Sequence, residues 1–141
     1  MRQLSLFDDP SAELTMLMVK VKSAMNQSAA RCGLSRDEIA DRMNEIAAKS
    51  GVGLTRGNAK NIKTATIEKW LNPSNRDHQP SLVAVNVFCM AVKNVAPLAA
   101  MLGLHGCGVM TPEDKKLRDY AEALIAERDA RKRKKQLEME L

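Results

Sequence analysis

Aromatic side chains are scarce in this chain: one Trp, one Tyr and two Phe, 3% of its residues. Sheet cores draw on aromatic and β-branched residues, so a core built from Leu, Ile, Val, Ala and nine methionines points to packed helices. Long apolar runs are missing too. The densest, Leu82 to Val92, is interrupted by Asn86 and falls short of the ~20 residues that span a bilayer. No cationic leader precedes an apolar stretch near Met1, so neither secretion nor a membrane partner is expected. Cysteine is sparse and odd in number, at positions 32, 89 and 107. That count fits reduced thiols in a cytoplasm rather than a disulfide framework. Cys32, Cys89, His105 and Cys107 match no paired-ligand zinc spacing, and Cys89 falls inside the apolar run, so no metal is expected. There is no P-loop, dinucleotide fingerprint, Ser-His-acid arrangement or paired-carboxylate motif, and only two histidines. We therefore expect no enzyme, no cofactor and no small-molecule substrate.

What the chain does have is positive charge, +5 net, unevenly placed. Between positions 49 and 69, Lys49, Arg56, Lys60, Lys63 and Lys69 face a single acid, Glu68, and Arg131 to Lys135 is an unbroken basic run. Clustered cations favour polyphosphate partners through counterion release, although lysines also solubilise ordinary helix faces. The terminal run has three readings: a solvated helix end, an arm for DNA phosphates, or an assembly element.

Hydrophobic periodicity and capping residues divide the chain. Residues 1–10 read as a loose arm. Asp9-Pro10-Ser11 opens a first helix over about 11–30, with Leu14, Leu17, Met18, Val21 and Met25 on one face, and Gly33 stops it. Ser35-Arg36-Asp37-Glu38 is a capping box at the head of a second helix, about 36–49. Gly51, Gly53 and Gly57 mark a loop, and helical spacing resumes over 63–71 through Ile67, Trp70 and Leu71. Pro80-Ser81 opens a buried helix over 81–93, Pro97 a short one closed by Gly103, and Thr111-Pro112 a long one reaching about Lys135. These elements predict an all-α protein: a compact bundle of about five helices containing a helix-turn-helix over 11–103, a linker at 104–111, and a C-terminal helix with a basic end over 112–141.

A short capped helix, a basic turn and a second short helix suit a reader of the major groove. The first braces the second, whose outward face carries short polar and cationic side chains. Lys63, Thr64, Thr66 and Lys69 can share that face, Arg36 adds charge at the first helix's start, and Arg76 and His78 follow in the next loop. Leu34-Ser35-Arg36-Asp37-Glu38-Ile39-Ala40 is similar to the opening of the helix-turn-helix in lambda-repressor and Cro-type proteins. Thr66-Ile67-Glu68-Lys69-Trp70-Leu71 resembles the end of their recognition helix. The stretch 34–103, with Trp70, Pro73-Ser74, His78 and Pro80, resembles small regulators of Mu-like phages and prophages. The resemblance implies sequence-specific binding to an operator or end sequence, with Arg36 on the DNA backbone and Lys63, Thr64, Ala65, Thr66 and Lys69 at recognition positions.

One departure is the long spacing between Ala40 and Ile62, which leaves a second register open. In that register Gly53 to Asn61 is the recognition helix and Arg56 and Lys60 are the readers. Glycine costs a helix ~1 kcal/mol relative to alanine, which favours 63–71. The functional expectation is a double-stranded DNA-binding transcriptional regulator of a phage or prophage, acting as a homodimer. A DNA-recognition subunit of a packaging or transposition complex, or a helical protein-protein adaptor, are the alternatives.

Overall fold

In a computed structural model, which describes residues 10–57 and 61–141, every regular element is a helix. They are α1 (Pro10–Thr15), α2 (Leu17–Arg31), α3 (Arg36–Ser50), α4 (Thr64–Leu71), α5 (Leu82–Val92), α6 (Ala96–Gly103) and α7 (Pro112–Glu140). The chain divides into two compact units, Met1–Val109 and Met110–Leu141. The arm expected before Pro10, the Asp9 cap and Lys60 lie outside the described residues. None of the helices described is long and apolar enough to cross a membrane.

Side-chain caps set the helix ends. Ser35 Oγ accepts from the Glu38 amide at 3.1 Å while the Ser35 amide donates to Glu38 Oε1 at 3.3 Å, closing the capping box of α3. At its other end Gly51 takes φ 68°, a left-handed cap that a Cβ would strain. Ser81 Oγ accepts from the Ala84 amide at 3.1 Å to start α5. The single helix expected over 11–30 is two, divided at Met16. Just before the break, Thr15 Oγ1 donates back to the Ser11 carbonyl at 3.0 Å, a bond of the kind that competes with the helical ladder. Leu14, expected on the buried stripe, lies ahead of that break and is 58% exposed.

The core of the first unit collects Val21, Met25 and Ala29 of α2, Ile39, Ala40, Met43 and Ala47 of α3, and Ile67, Trp70 and Leu71 of α4. Around them stand Ala84, Val85, Val87, Phe88, Ala91 and Val92 of α5. Helix α2 packs on α6, and α3 packs on both α5 and α4. Phe88 and Met43 are completely buried, so the dense apolar run of α5 is the centre of the bundle, as its composition predicts. Leu54 and Ile62, from the long connection between α3 and α4, are buried too, so this loop is anchored at two points.

The second unit is essentially one helix. Thr111 and Asp114 form a second capping box, each amide donating to the other's side chain at 3.1 Å. At 1.5 Å per residue, the 29 residues of α7 extend about 43 Å, and the helix continues past Lys135, where its regular end was expected, to Glu140. None of its residues is buried within the unit, and Leu117, Tyr120, Leu124 and Ile125 form an exposed apolar stripe on it.

Candidate nucleic-acid interface

Helix α4 is eight residues long, too short to hold itself together in water, where isolated helices below ~12–15 residues are marginal. Its order comes from tethers on neighbouring helices. Asn44 of α3 clamps the approach: its Nδ2 donates to the Ile62 carbonyl at 3.0 Å, and the Ile62 amide donates to its Oδ1 at 2.8 Å. The side chain thus satisfies one loop residue as a strand partner does. One residue into the helix, the Thr64 hydroxyl donates to Asp37 Oδ1 in the first turn of α3. Lys63, which occupies the N-cap position, makes no side-chain capping bond.

At the far end stands Lys22, buried on α2 with 1% of its surface exposed. Its ammonium donates to the carbonyls of Asn75 at 2.5 Å, His78 at 2.6 Å, Lys69 at 3.3 Å and Asn72 at 3.4 Å. Three N–H groups meet four acceptors, so at least one N–H is shared between two carbonyls. A cation at the carboxyl end of α4 also complements the helix dipole. Burial pushes the Lys22 pKa below its ordinary value. Asn75 completes the loop, its Oδ1 accepting from the amides of Asp77 at 3.2 Å and His78 at 3.1 Å.

With Ile67, Trp70 and Leu71 turned into the core, the outward face of α4 carries Ala65, Glu68 and Lys69, flanked by Asn61 and Asn72. Thr64 and Thr66 do not share that face. Two residues apart, they lie on opposite flanks of the helix: Thr64 is occupied by Asp37, and Thr66 is half-buried in an adjoining cleft. Glu68, passed over in the sequence, stands beside Lys69 at the centre of the exposed face. A carboxylate there can accept from the N4 amine of cytosine, as a lysine can donate to guanine.

The cleft beside Thr66 joins three segments: the loop with Gly53 and Arg56, helix α4, and residues Asp77 to Ser81. It places Arg56 with Thr66, His78 and Gln79 on one surface, while Arg76 is exposed in the same loop as His78. Gly53 is irregular and residues 54–57 form bends, so the second register is not helical over that segment; Asn58, Ala59 and Lys60 lie outside the described residues. Arg36 turns inward: its Nη2 donates to Asn26 Oδ1 of α2 at 3.2 Å, and its Nη1 is enclosed without a partner. Asp37 and Glu38 crowd the same helix start, which reduces its attraction for a phosphate. Lys22, Asn44 and Glu68 were not identified from the sequence. Among the described residues, no group of three His, Cys, Asp or Glu side chains is arranged to hold a metal ion. Comparisons with protein-family models, with curated proteins and with solved structures find no match.

Proposed function

We propose that this chain is a sequence-specific double-stranded DNA-binding protein that reads the major groove with α4. The observation that carries this reading is the mounting of α4. An eight-residue helix is held at its start by Asn44 and Asp37 and at its end by Lys22, yet its outward face takes no part in the core. A surface held that firmly and left uncovered suits a rigid partner, because little conformational entropy is lost on docking. Lys63 at the N-cap of α4, with Arg56 and Arg76 on flanking loops, supplies cations for the phosphates on either side of a groove, and Glu68 and Lys69 are left for base edges. Short side chains such as Ala65 let the helix approach base edges and thymine methyls.

The resemblance to lambda-repressor, Cro-type and Mu-like phage regulators makes transcriptional regulation in a phage or prophage the specific form of this proposal. Action in the cytoplasm as a homodimer, without catalysis or a cofactor, belongs to it. Selection from random duplexes followed by fluorescence anisotropy tests the reading. We expect an enriched motif and a log–log salt slope near −5, corresponding to about six phosphate contacts. Absence of an enriched motif, or affinity that does not change with salt, overturns it.

A further inference from the structure

The bases at the end of α7 are not spread around the helix. Arg128, Arg131, Lys132 and Lys135 follow the i, i+3, i+4, i+7 spacing that places side chains on one face. That face continues the stripe of Leu117, Tyr120, Ala121 and Leu124, so one side of a single helix is apolar in its first half and cationic in its second. All of these residues are exposed. Carboxylates on the same helix partner two of the four bases and leave two unpaired. Glu127 pairs with Arg131 at 2.7 Å, and Asp129 lies 3.8 Å from Arg128. Among the described residues, Lys132 and Lys135 have no acid within salt-bridge distance.

Helix chemistry alone does not account for the run. Cations stabilise a helix when they occupy its last turn, against the negative end of the dipole. The last turn of α7 has no base and carries Glu138 and Glu140 instead. A membrane surface fits poorly as well. A helix lying in a bilayer interface keeps apolar residues along one side for its whole length, and here that side turns cationic at Arg128.

We propose that this face is a second duplex-DNA contact, seated on the phosphates of one strand and independent of base sequence. From Arg131 to Lys135 the helix rises about 6 Å, and the long side chains of Arg131, Lys132 and Lys135 can each reach a backbone phosphate, about three contacts in all. The inference rests on the duplex-binding reading of α4 and adds to it a separable electrostatic component.

The test uses the full chain and a triple variant, Arg131→Gln, Lys132→Gln and Lys135→Gln, in which glutamine keeps helix propensity close to that of the bases. Circular dichroism should be unchanged. The slope of log K against log salt should become shallower by about 2.7, a difference of about 40-fold in affinity change between 50 and 200 mM salt. The preference for a selected over a scrambled duplex should persist. A matched variant off the face, Arg133→Gln with Lys134→Gln, should leave the slope within about one phosphate contact of the parent. An unaltered slope in the triple variant overturns the contact, as does an equal loss per charge in the off-face variant. Binding to vesicles of equal phosphatidylserine and phosphatidylcholine that the triple variant abolishes, with duplex binding intact, assigns the face to lipid and also overturns it. Salt-dependent binding lost in the triple variant but lacking any base preference leaves this contact standing and removes the reading of α4. A full chain with no duplex affinity removes both.

Discussion

Lys22 shows how a single buried charge fixes the geometry of a surface helix. Taking an ammonium out of water costs several kcal/mol, and the return is four carbonyl contacts from one loop and one helix end. Two of those carbonyls have other donors: Lys69 O accepts from the Asn72 amide at 3.4 Å, and Asn72 O from the Asn75 amide at 3.1 Å. Those of Asn75 and His78 depend on Lys22. Replacing Lys22 with Met removes the desolvation cost but strands these two acceptors, at ~1–3 kcal/mol each. The net expectation is a loss of about 2–3 kcal/mol in urea denaturation, with duplex affinity falling because the end of α4 and the Arg76 loop are released. The pH dependence follows from the lowered pKa. The unfolded chain holds the Lys22 proton more tightly, so this group's contribution to stability is fully present above 10.5 and is lost as pH falls through the depressed folded value. The parent should therefore gain stability relative to Lys22→Met as pH rises across that window, and parallel curves would show that the carbonyl bonds to the ammonium offset its burial and leave the folded pKa unlowered. The sequence gives little sign of this residue. It sits next to Val21 on a helix whose stripe is otherwise apolar, and its acceptors lie about fifty residues further on.

Elements bounded by short-range chemistry were legible in the sequence, and those held by distant partners were not. The capping box at Ser35, the cap at Ser81 and the Thr111-Pro112 start each act within a few residues, and α3, α5 and α7 begin where they predict. The break at Met16 was missed because the hydrophobic spacing of Leu14, Leu17, Met18, Val21 and Met25 runs through it unchanged. The exposed face of α4 was only partly legible: Ile67, Trp70 and Leu71 were placed in the core correctly, but Thr64 and Thr66 were assigned to one face without account of Asp37 and the Arg56 cleft. The connection from Gly51 to Lys63 owes its shape to Asn44, a residue on a different element. This division leads to a test of which element reads bases. Lys69→Ala and Glu68→Gln should each relax preference at a defined position of the selected motif, a contact of this kind being worth ~1–3 kcal/mol. Arg56→Ala, from a segment without helix, should weaken binding to all duplexes alike. Base-specific loss confined to Arg56→Ala would move the reading head from α4 to the 53–57 loop.

At the scale of the whole molecule, the exposed apolar stripe in the first half of α7 suits a second copy of the same helix. Leu117, Tyr120, Ala121, Leu124 and Ile125 make a stripe of about two and a half turns, too short for a coiled coil of three or four heptads but wide enough for one packed helix pair. Charge selects the orientation. Residues 112–122 hold Glu113, Asp114, Asp119 and Glu122 against Lys115, Lys116 and Arg118, while 127–135 hold six bases against Glu127 and Asp129. Parallel pairing of two copies would set the two basic halves side by side. An antiparallel pair centred on Ala121 instead brings Arg128 opposite Asp114 and ends the partner's helix opposite Ala130. Arg131, Lys132 and Lys135 then extend beyond the pair, free for phosphate. The same two-fold axis relates two copies of α4, the arrangement needed for a palindromic operator. Leu124→Asp should therefore halve the mass measured by light scattering and weaken binding to a two-site duplex more than to a half-site. The melting temperature of a monomer should stay close to the parent's, because Leu124 is 47% exposed and contributes nothing to the Phe88-centred core. A mass that remains dimeric after Leu124→Asp would place the self-association surface away from this stripe, and a parent that is monomeric at micromolar concentration would remove the dimer itself.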